Sequence, residues 1–360
     1  MKTLRAQFPL LERVAYLNAG TNGPVPGRAV DAAIASLRGQ AEDGRGGRAF
    51  FEAAIEAADV LRARVAGLLG CELRELALTG STTDGVNAAL AALELRRGDE
   101  VVTSDEEHPG LLAPLRVLRD RVGVRVRTAP FTELAGAVRP GTRLVACSHV
   151  SWVTGRVVDT AALRAAGAPV LLDGAQGLGA VPVDVRSLGC DFYAASGQKW
   201  LCGPNGVGYL YARRELVRDL PAPWPGYLVL VDPERPLTAA LHDDARRLST
   251  GFPAPQDTAF AHGALDVLEE AGIERVHGRA ATLADTLADG LRERGVRVAP
   301  RGASTLVSFE VPDPPGFVER LAAEERIIVR FLPGTPYVRA SAGAWCSEEE
   351  LDRLVELAAG

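Results

Sequence analysis

From about residue 60 to residue 212 the chain alternates short apolar runs with helix-patterned segments, and this alternation limits the folds open to it. The runs are Leu76–Leu78, Glu100–Thr103, Arg143–Ser148, Pro169–Leu172, Phe192–Ala195 and Val207–Tyr211, with helical patterns such as Thr83–Leu93 and Gly110–Arg119 between them. Short, near-continuous apolar runs suit strands buried on both faces, and the intervening helices supply the covers. The pattern predicts an α/β fold of βαβ units around a mostly parallel sheet. Ligands in such sheets bind beyond the carboxyl ends of the strands, so chemistry is sought where each run ends.

A Pro-rich stretch, Leu220–Pro236, interrupts the alternation. A long helical pattern, Asp257–Arg294, follows with a break near Ala271-Gly272. The tail reads strand, helix, strand, helix through Ser304–Val311, Phe317–Glu325, Ile327–Phe331 with Tyr337–Ala342, and Glu348–Ala359. The expected division is a large domain over 16–240 and a smaller α/β domain over 241–360 joined by the N-terminal arm 1–15.

Composition closes off other classes. With 47% hydrophobic and 24% charged residues the chain has the makings of a packed core and is not disordered. A formal net charge of -6 without a Lys/Arg run argues against nucleic acid or an anionic membrane as partner. The five cysteines are scattered with no CxxC pair, and the five histidines form no HxxxH or HExxH pair. Neither a disulfide framework nor a metal site is expected, and a reducing cytoplasmic setting is. Glu12 and Arg13 break any apolar leader, and no run reaches the length needed to span a bilayer.

Two residues carry the chemical reading. Asp173 ends the apolar run Val170-Leu171-Leu172, where a carboxylate is costly unless a cation or strong donor meets it. Lys199 follows the run ending at Ala195 and a Ser196-Gly197 turn. Of the 40 basic side chains only Lys2 and Lys199 are lysines. An amine can lose its proton and form a Schiff base, whereas a guanidinium cannot. A Schiff-base lysine with an aspartate able to hold a pyridinium nitrogen is the requirement of pyridoxal phosphate chemistry. A phosphate site is offered by Thr79-Gly80-Ser81-Thr82-Thr83-Asp84, a turn with hydroxyls at a helix start, although Ser81 and Asp84 also fit a plain helix cap. His108 lies in the loop just past the run Glu100–Thr103, where a lone histidine is usually incidental.

Together Asp173-Gly-Ala-Gln176, Ser196-Gly-Gln-Lys199 and Gly203-Pro-Asn-Gly206 resemble the class V aminotransferases of pyridoxal phosphate fold type I. That group includes cysteine desulfurases, cystine C–S lyases, kynureninases and isopenicillin N epimerases. The likeness runs from Tyr16-Leu17-Asn18-Ala19-Gly20 to Glu349–Leu354. It implies the aspartate aminotransferase-like fold, with a seven-stranded mostly parallel sheet, and a homodimer acting on an amino acid. It also implies roles: Lys199 as the Schiff-base residue that removes the α-proton, Asp173 on the pyridine nitrogen, Gln176 on the phenolic oxygen and His108 on the ring face. Ser81, Thr82, Thr83, Ser196 and Gln198 would hold the phosphate, with Thr250 as stand-in for a contact from the partner subunit. Arg339 would receive the substrate α-carboxylate as a bidentate pair, with Asn18 beside it.

The chain departs from the family at several points. Gln198 stands where histidine is common, Trp152 where an asparagine is common, and Thr250-Gly251-Phe252-Pro253 where Gly-Thr-Pro is usual. Desulfurases carry a nucleophilic cysteine between the positions of Arg330 and Arg339, and this chain has none there. Cys346 lies beyond Arg339, and Cys202 reads as a small packing residue. The expected reaction is therefore β-elimination through an external aldimine and Cα deprotonation, as in a cysteine- or cystine-type C–S lyase. Transamination comes next, then epimerisation or desulfuration. A catalytically silent scaffold would have no use for Lys199 and Asp173.

Overall fold

The computed structural model describes residues 2–250 and 253–360. The strands are β1 (Ala15–Tyr16), β2 (Leu76–Thr79), β3 (Glu100–Ser104), β4 (Arg125–Ala129), β5 (Thr142–Ser148), β6 (Val170–Asp173), β7 (Phe192–Ser196), β8 (Gly208–Ala212), β9 (Leu306–Glu310), β10 (Ile327–Ile328), β11 (Arg330–Phe331) and β12 (Tyr337–Ser341). Seven form one sheet in the order β2-β8-β7-β6-β5-β3-β4. Within it β8 runs antiparallel to both neighbours, and the other pairings are parallel. This is the mostly parallel sheet that the apolar runs predict, with the seven strands that the family resemblance implies. The edge strand β4 has no counterpart among those runs, because Arg125 to Thr128 leave it half in water.

Alternate residues of each strand point to opposite faces. Ala77, Val101, Leu144, Ala146, Leu171, Phe192, Ala194 and Leu210 pack on one face under helices Thr82–Ala92 and Pro109–Arg121. Leu78, Val102, Val145, Leu172, Tyr193 and Tyr209 face the other way, into a larger core that continues to the C-terminal helix. Helices Gly27–Asp43 and Arg48–Leu69 precede the sheet. Helix Arg48–Leu69 buries the stripe Ala54, Ala58, Leu61, Val65 and Leu69, whereas Gly27–Asp43 buries only Ala29, and the apolar runs above mark neither.

Past the sheet, Gly272 at φ +85° separates helices Pro255–Ala271 and Ile273–Glu293, at the break expected there. The first of these packs on helix Gly27–Asp43, with Gly263 against Ala29. The antiparallel sheet β11-β12-β9 follows, with Arg330 opposite Arg339. Helix Glu348–Ala359 starts at a capping box made by Ser347 and Glu350. The N-terminal arm joins this end of the molecule. Strand β1 pairs with β10, Arg5 bonds Glu350 at 2.7 Å, and Ser341 donates its N–H to Leu17. Among the described residues no helix is long and apolar enough to cross a membrane.

Candidate active site

The carboxyl ends of β2, β3, β6 and β7 open onto a cavity of about 220 Å³, and β11 and β12 close it from the other side. Its walls include Gly20, Thr21, Ser81, Thr82, Thr83, His108, Trp152, Asp173, Gln176, Ser196, Gln198, Lys199, Arg330 and Arg339. The structure thus brings together every residue given a catalytic, cofactor or substrate role above except Asn18 and Thr250. Thr250 flanks the turn before Ser81, where its hydroxyl accepts the Gly80 N–H at 3.3 Å within the same chain. The neighbouring Gly251 and Phe252 lie outside the described residues. Asn18 stands one layer back, its Oδ1 accepting the Thr21 hydroxyl at 2.7 Å.

Asp173 and Lys199 follow adjacent strands of the sheet. The Asp173 carboxylate is buried and accepts the Ala175 N–H at 2.9 Å. Burial pushes its pKa up, and the charge of Lys199 pulls it back. Burial brings Lys199 down to about 8, against the opposing pull of Asp173 and with Arg339 and Arg330 adding to the fall. An amine so tuned gives up its proton near neutral pH. The turn carrying it is held by backbone bonds from Gly197 to Val207 and from Gly23 to Gln198, at 2.9 and 2.8 Å.

His108 caps helix Pro109–Arg121, with Nδ1 accepting the Gly110 N–H at 3.0 Å. Burial, followed by the cations Lys199, Arg330 and Arg339, lowers its pKa to about 4, so the imidazole is neutral with its proton on Nε2. The Trp152 ring meets it edge-on at 5.1 Å. Gln176 is locked from both sides: Nε2 donates to Gly20 at 2.7 Å and Oε1 accepts Trp200 Nε1 at 2.9 Å. At the helix start Ser81 spends its hydroxyl on the Asp84 N–H at 3.1 Å, which is the plain cap. Gly208 permits this turn to lie on β8, since a Cβ there would fall 2.7 Å from the Ser81 backbone.

Other polar groups on the wall have nothing to bond. Thr82 Oγ1, Ser196 Oγ and Gln198 Oε1 are buried without partners at the helix N-terminus, and so are Trp152 Nε1, Ser341 Oγ and Arg339 Nε and Nη2 across the cavity. Arg339 is 1% exposed and places only Nη1, on the Trp152 carbonyl at 2.9 Å. Burial, with Arg330 beside it, lowers its pKa, yet a guanidinium stays charged at neutral pH. Arg330 donates to Thr21 at 3.1 Å, and among the described residues neither arginine forms an ion pair. Gly20 leaves room beside them: a Cβ there would sit 2.8 Å from Ser341 Oγ and 2.9 Å from Arg339 Nη2.

Buried polar groups in native proteins almost always have partners, so orphans clustered on one cavity mark where a ligand bonds. Three cations face one carboxylate, a charge pattern suited to a molecule carrying several negative charges. A helix N-terminus with free hydroxyls fits a phosphate, Asp173 fits a ring nitrogen and Lys199 fits a carbonyl carbon. Sequence reasoning missed Arg330, which it used only as a landmark, and Thr21. No sequence signal marked Arg330, because its place opposite Arg339 comes from the β11–β12 register. Cys202 and Cys346 are buried off the cavity, the latter donating to the Tyr16 carbonyl in the turn before the last helix. Among the described residues no group of His, Cys, Asp and Glu is arranged to hold a metal ion.

Comparison with known proteins agrees with this geometry. The chain is 31% identical over 297 residues to the cysteine desulfurase of Yersinia pestis bv. Antiqua (strain Angola), covering 76% of this chain and 73% of that one. Its structure superposes on the complex between the cystine C–S lyase C-DES and its reaction product cysteine persulfide with a TM-score of 0.92, at 28% identity over 98% of this chain and 99% of that one. The cysteine desulfurase CsdA from Escherichia coli gives 0.85, at 27% identity over 99% and 96% of the two chains. The class-V aminotransferase family model matches residues 15–354, from the β1 arm to the last helix and across both walls of the cavity. The chain therefore belongs to the class-V aminotransferase family.

Proposed function

We propose that the protein is a pyridoxal phosphate-dependent C–S lyase that eliminates the β-sulfur of a cysteine-derived amino acid, with cystine as the leading substrate. The observation that carries this reading is the pair of unpaired guanidiniums, Arg339 and Arg330, facing Lys199 and Asp173 across one cavity. Each arginine matches one carboxylate, and cystine has two where cysteine has one. The sequence without a cysteine between Arg330 and Arg339 leaves no acceptor there for a protein-bound persulfide, so sulfur leaves with the departing fragment. The likeness to the cystine lyase supports the same choice.

When bound, pyridoxal phosphate supplies a conjugated cation that accepts the electron pair left at a substrate's α-carbon. In this chain Lys199 would hold the cofactor at its aldehyde carbon, and its Nζ, which burial brings down to about 8, would take the substrate's α-proton. Asp173 would keep the ring nitrogen protonated, His108 would cover the ring face as a neutral imidazole and Gln176 would meet the phenolic oxygen. Thr82, Thr83, Ser196 and Gln198 would receive the phosphate with the N–H groups of helix Thr82–Ala92, and Ser81 shapes that turn by capping it. Thr250 supports the turn from behind, and Asn18 acts through Thr21 on Arg330. Loss of the β-sulfur would release cysteine persulfide from cystine and leave 2-aminoacrylate, which one water hydrolyses to pyruvate and ammonia.

The same reading takes the molecule as a homodimer in the cytoplasm, with domains 16–240 and 241–360 plus the arm. Support for the dimer comes from exposed Val30, Ile34, Leu37, Phe51 and Ile55 on helices Gly27–Asp43 and Arg48–Leu69. The deciding experiment is a product assay on cystine and on S-methylcysteine without any amino acceptor. Pyruvate with one ammonia per turnover is expected, faster from cystine. A 2-oxo acid that forms only when an amino acceptor is added would make the enzyme a transaminase.

A further inference from the structure

Directly behind the cavity lies a carboxyl group that the chemistry above leaves unused. Glu107 precedes His108 and is 4% exposed. Its Oε1 accepts the Ser104 hydroxyl at 2.5 Å and the Ser148 N–H at 3.0 Å, and its Oε2 accepts the Ser148 hydroxyl at 2.6 Å. Ser104 ends β3 and Ser148 ends β5, two neighbouring strands, and Ser148 is the register partner of Asp173 on β6. Ser104 also accepts the Glu106 N–H at 3.2 Å, which leaves its own proton for Glu107. A side chain taking three donated hydrogens in the interior is arranged as a carboxylate. A purely structural brace between two strand ends would be served by an uncharged amide without the cost of burying a charge.

We propose that Glu107 is a positioning residue of this site: it ties the carboxyl ends of β3 and β5 together, seats His108 and sets a second negative charge behind Asp173. This rests on the pyridoxal phosphate reading. Asp173 must hold a proton on the ring nitrogen while Lys199, Arg330 and Arg339 all press against positive charge there. A carboxylate behind Asp173 opposes those cations and makes Asp173 more basic. The surrounding titratable groups are few. Burial first, opposed by the Ser104 and Ser148 bonds and aided by the charge of Asp173, raises Glu107 to about 7. Its negative charge is therefore in place above neutral pH, and the band is titrated in that range. Buried Cys147 is raised well above its ordinary value and stays a neutral thiol. His149 bonds Tyr193 at 3.0 Å and is held neutral by burial. Glu106 is turned away toward Arg156, and Asp105 toward the Phe131 N–H.

The test is the pH titration of the visible absorbance band of the holoenzyme without substrate, in wild type and in Glu107→Gln. The glutamine keeps the shape and removes the charge. Loss of a negative charge disfavours the protonated, cationic form, so the midpoint is expected to fall by about half to one pH unit. Glu107→Asp, which restores the charge, should bring the midpoint back. A merely structural Glu107 would lower the thermal midpoint of the holoenzyme and leave the titration where it was, and that result overturns the proposal. If Glu107→Gln does not accumulate folded, Ser104→Ala removes one donor, raises the Glu107 pKa and should move the midpoint the same way by less. An unmoved midpoint there also overturns it. Wild-type protein with no visible band after addition of pyridoxal phosphate would instead sink the cofactor reading, and the proposal with it.

Discussion

The two walls of the cavity differ in how their charges are met. On the sheet side Asp173 faces Lys199, Gln176 is bonded at both ends, and His108 has its Nδ1 filled by a backbone N–H. On the β11–β12 side Arg339 is fully buried with Nε and Nη2 unbonded, and Arg330 stands across from it without a carboxylate. Burying an uncompensated charge costs several kcal/mol, so a fold keeps one only when something outside the chain relieves it. On the sheet side the charges are thus met within the protein, and only uncharged groups such as the Thr82 and Ser196 hydroxyls are left for a ligand. The arginine side is finished by the substrate.

If that division holds, changes on the sheet side should remove reaction and changes on the arginine side should remove recognition. The largest effect is expected from Lys199→Ala. Exchange of the substrate α-proton with solvent, followed by NMR in deuterium oxide, should fall by about 10³-fold or more on every amino acid tested. Wild-type exchange in this variant would take the proton-moving role away from Lys199 and leave the comparison without its chemical half.

The arginines come next. Arg339→Lys keeps the charge and loses the fork, so KM should rise by about 10- to 100-fold for cystine and S-methylcysteine alike. Arg330→Gln should raise KM for cystine by about 10-fold and leave S-methylcysteine within about twofold, because only cystine has a carboxylate to spare for it. Steady-state kinetics on the two substrates decide the matter. If Arg330→Gln weakens both equally, Arg330 is not a second carboxylate site and the substrate reading needs only one anionic group.

The sheet side was largely legible from the chain alone, and the reason is physical. A buried parallel strand must be a short apolar run, so Val170–Asp173 and Phe192–Ser196 announce themselves, and a charged residue at the end of such a run stands out. Lysine scarcity then marked Lys199. The β11–β12 wall was only half legible, since two-residue strands carry no period and the approach of Arg330 to Thr21 joins residues 309 apart in the chain. Likewise nothing in the sequence sets Glu107 apart from its neighbours in Asp105-Glu106-Glu107. Its burial depends on Ser148, which only the sheet order brings to it. Edge strand β4 and helices Gly27–Asp43 and Arg48–Leu69 escaped because they are half in water or Ala-rich.

The smallest effects test the same distinction within a single turn. Ser81 and Thr82 are neighbours with opposite bookkeeping: the Ser81 hydroxyl caps its helix, and the Thr82 hydroxyl is buried with no partner. Ser81→Ala removes a cap and should lower the stability of the cofactor-free protein by about 1 kcal/mol. Thr82→Val replaces an unsatisfied hydroxyl with a methyl group of the same shape, so the cofactor-free protein should be unchanged or gain up to about 1 kcal/mol. Affinity for pyridoxal phosphate should move the other way in Thr82→Val, falling about three- to tenfold as one neutral hydrogen bond to the phosphate is lost. Chemical denaturation of the cofactor-free variants and titration with the cofactor measure both quantities. A Thr82→Val protein that loses stability and keeps its affinity would mean that the hydroxyl serves the fold, and orphaned donors on this cavity could no longer be taken as marks of the ligand.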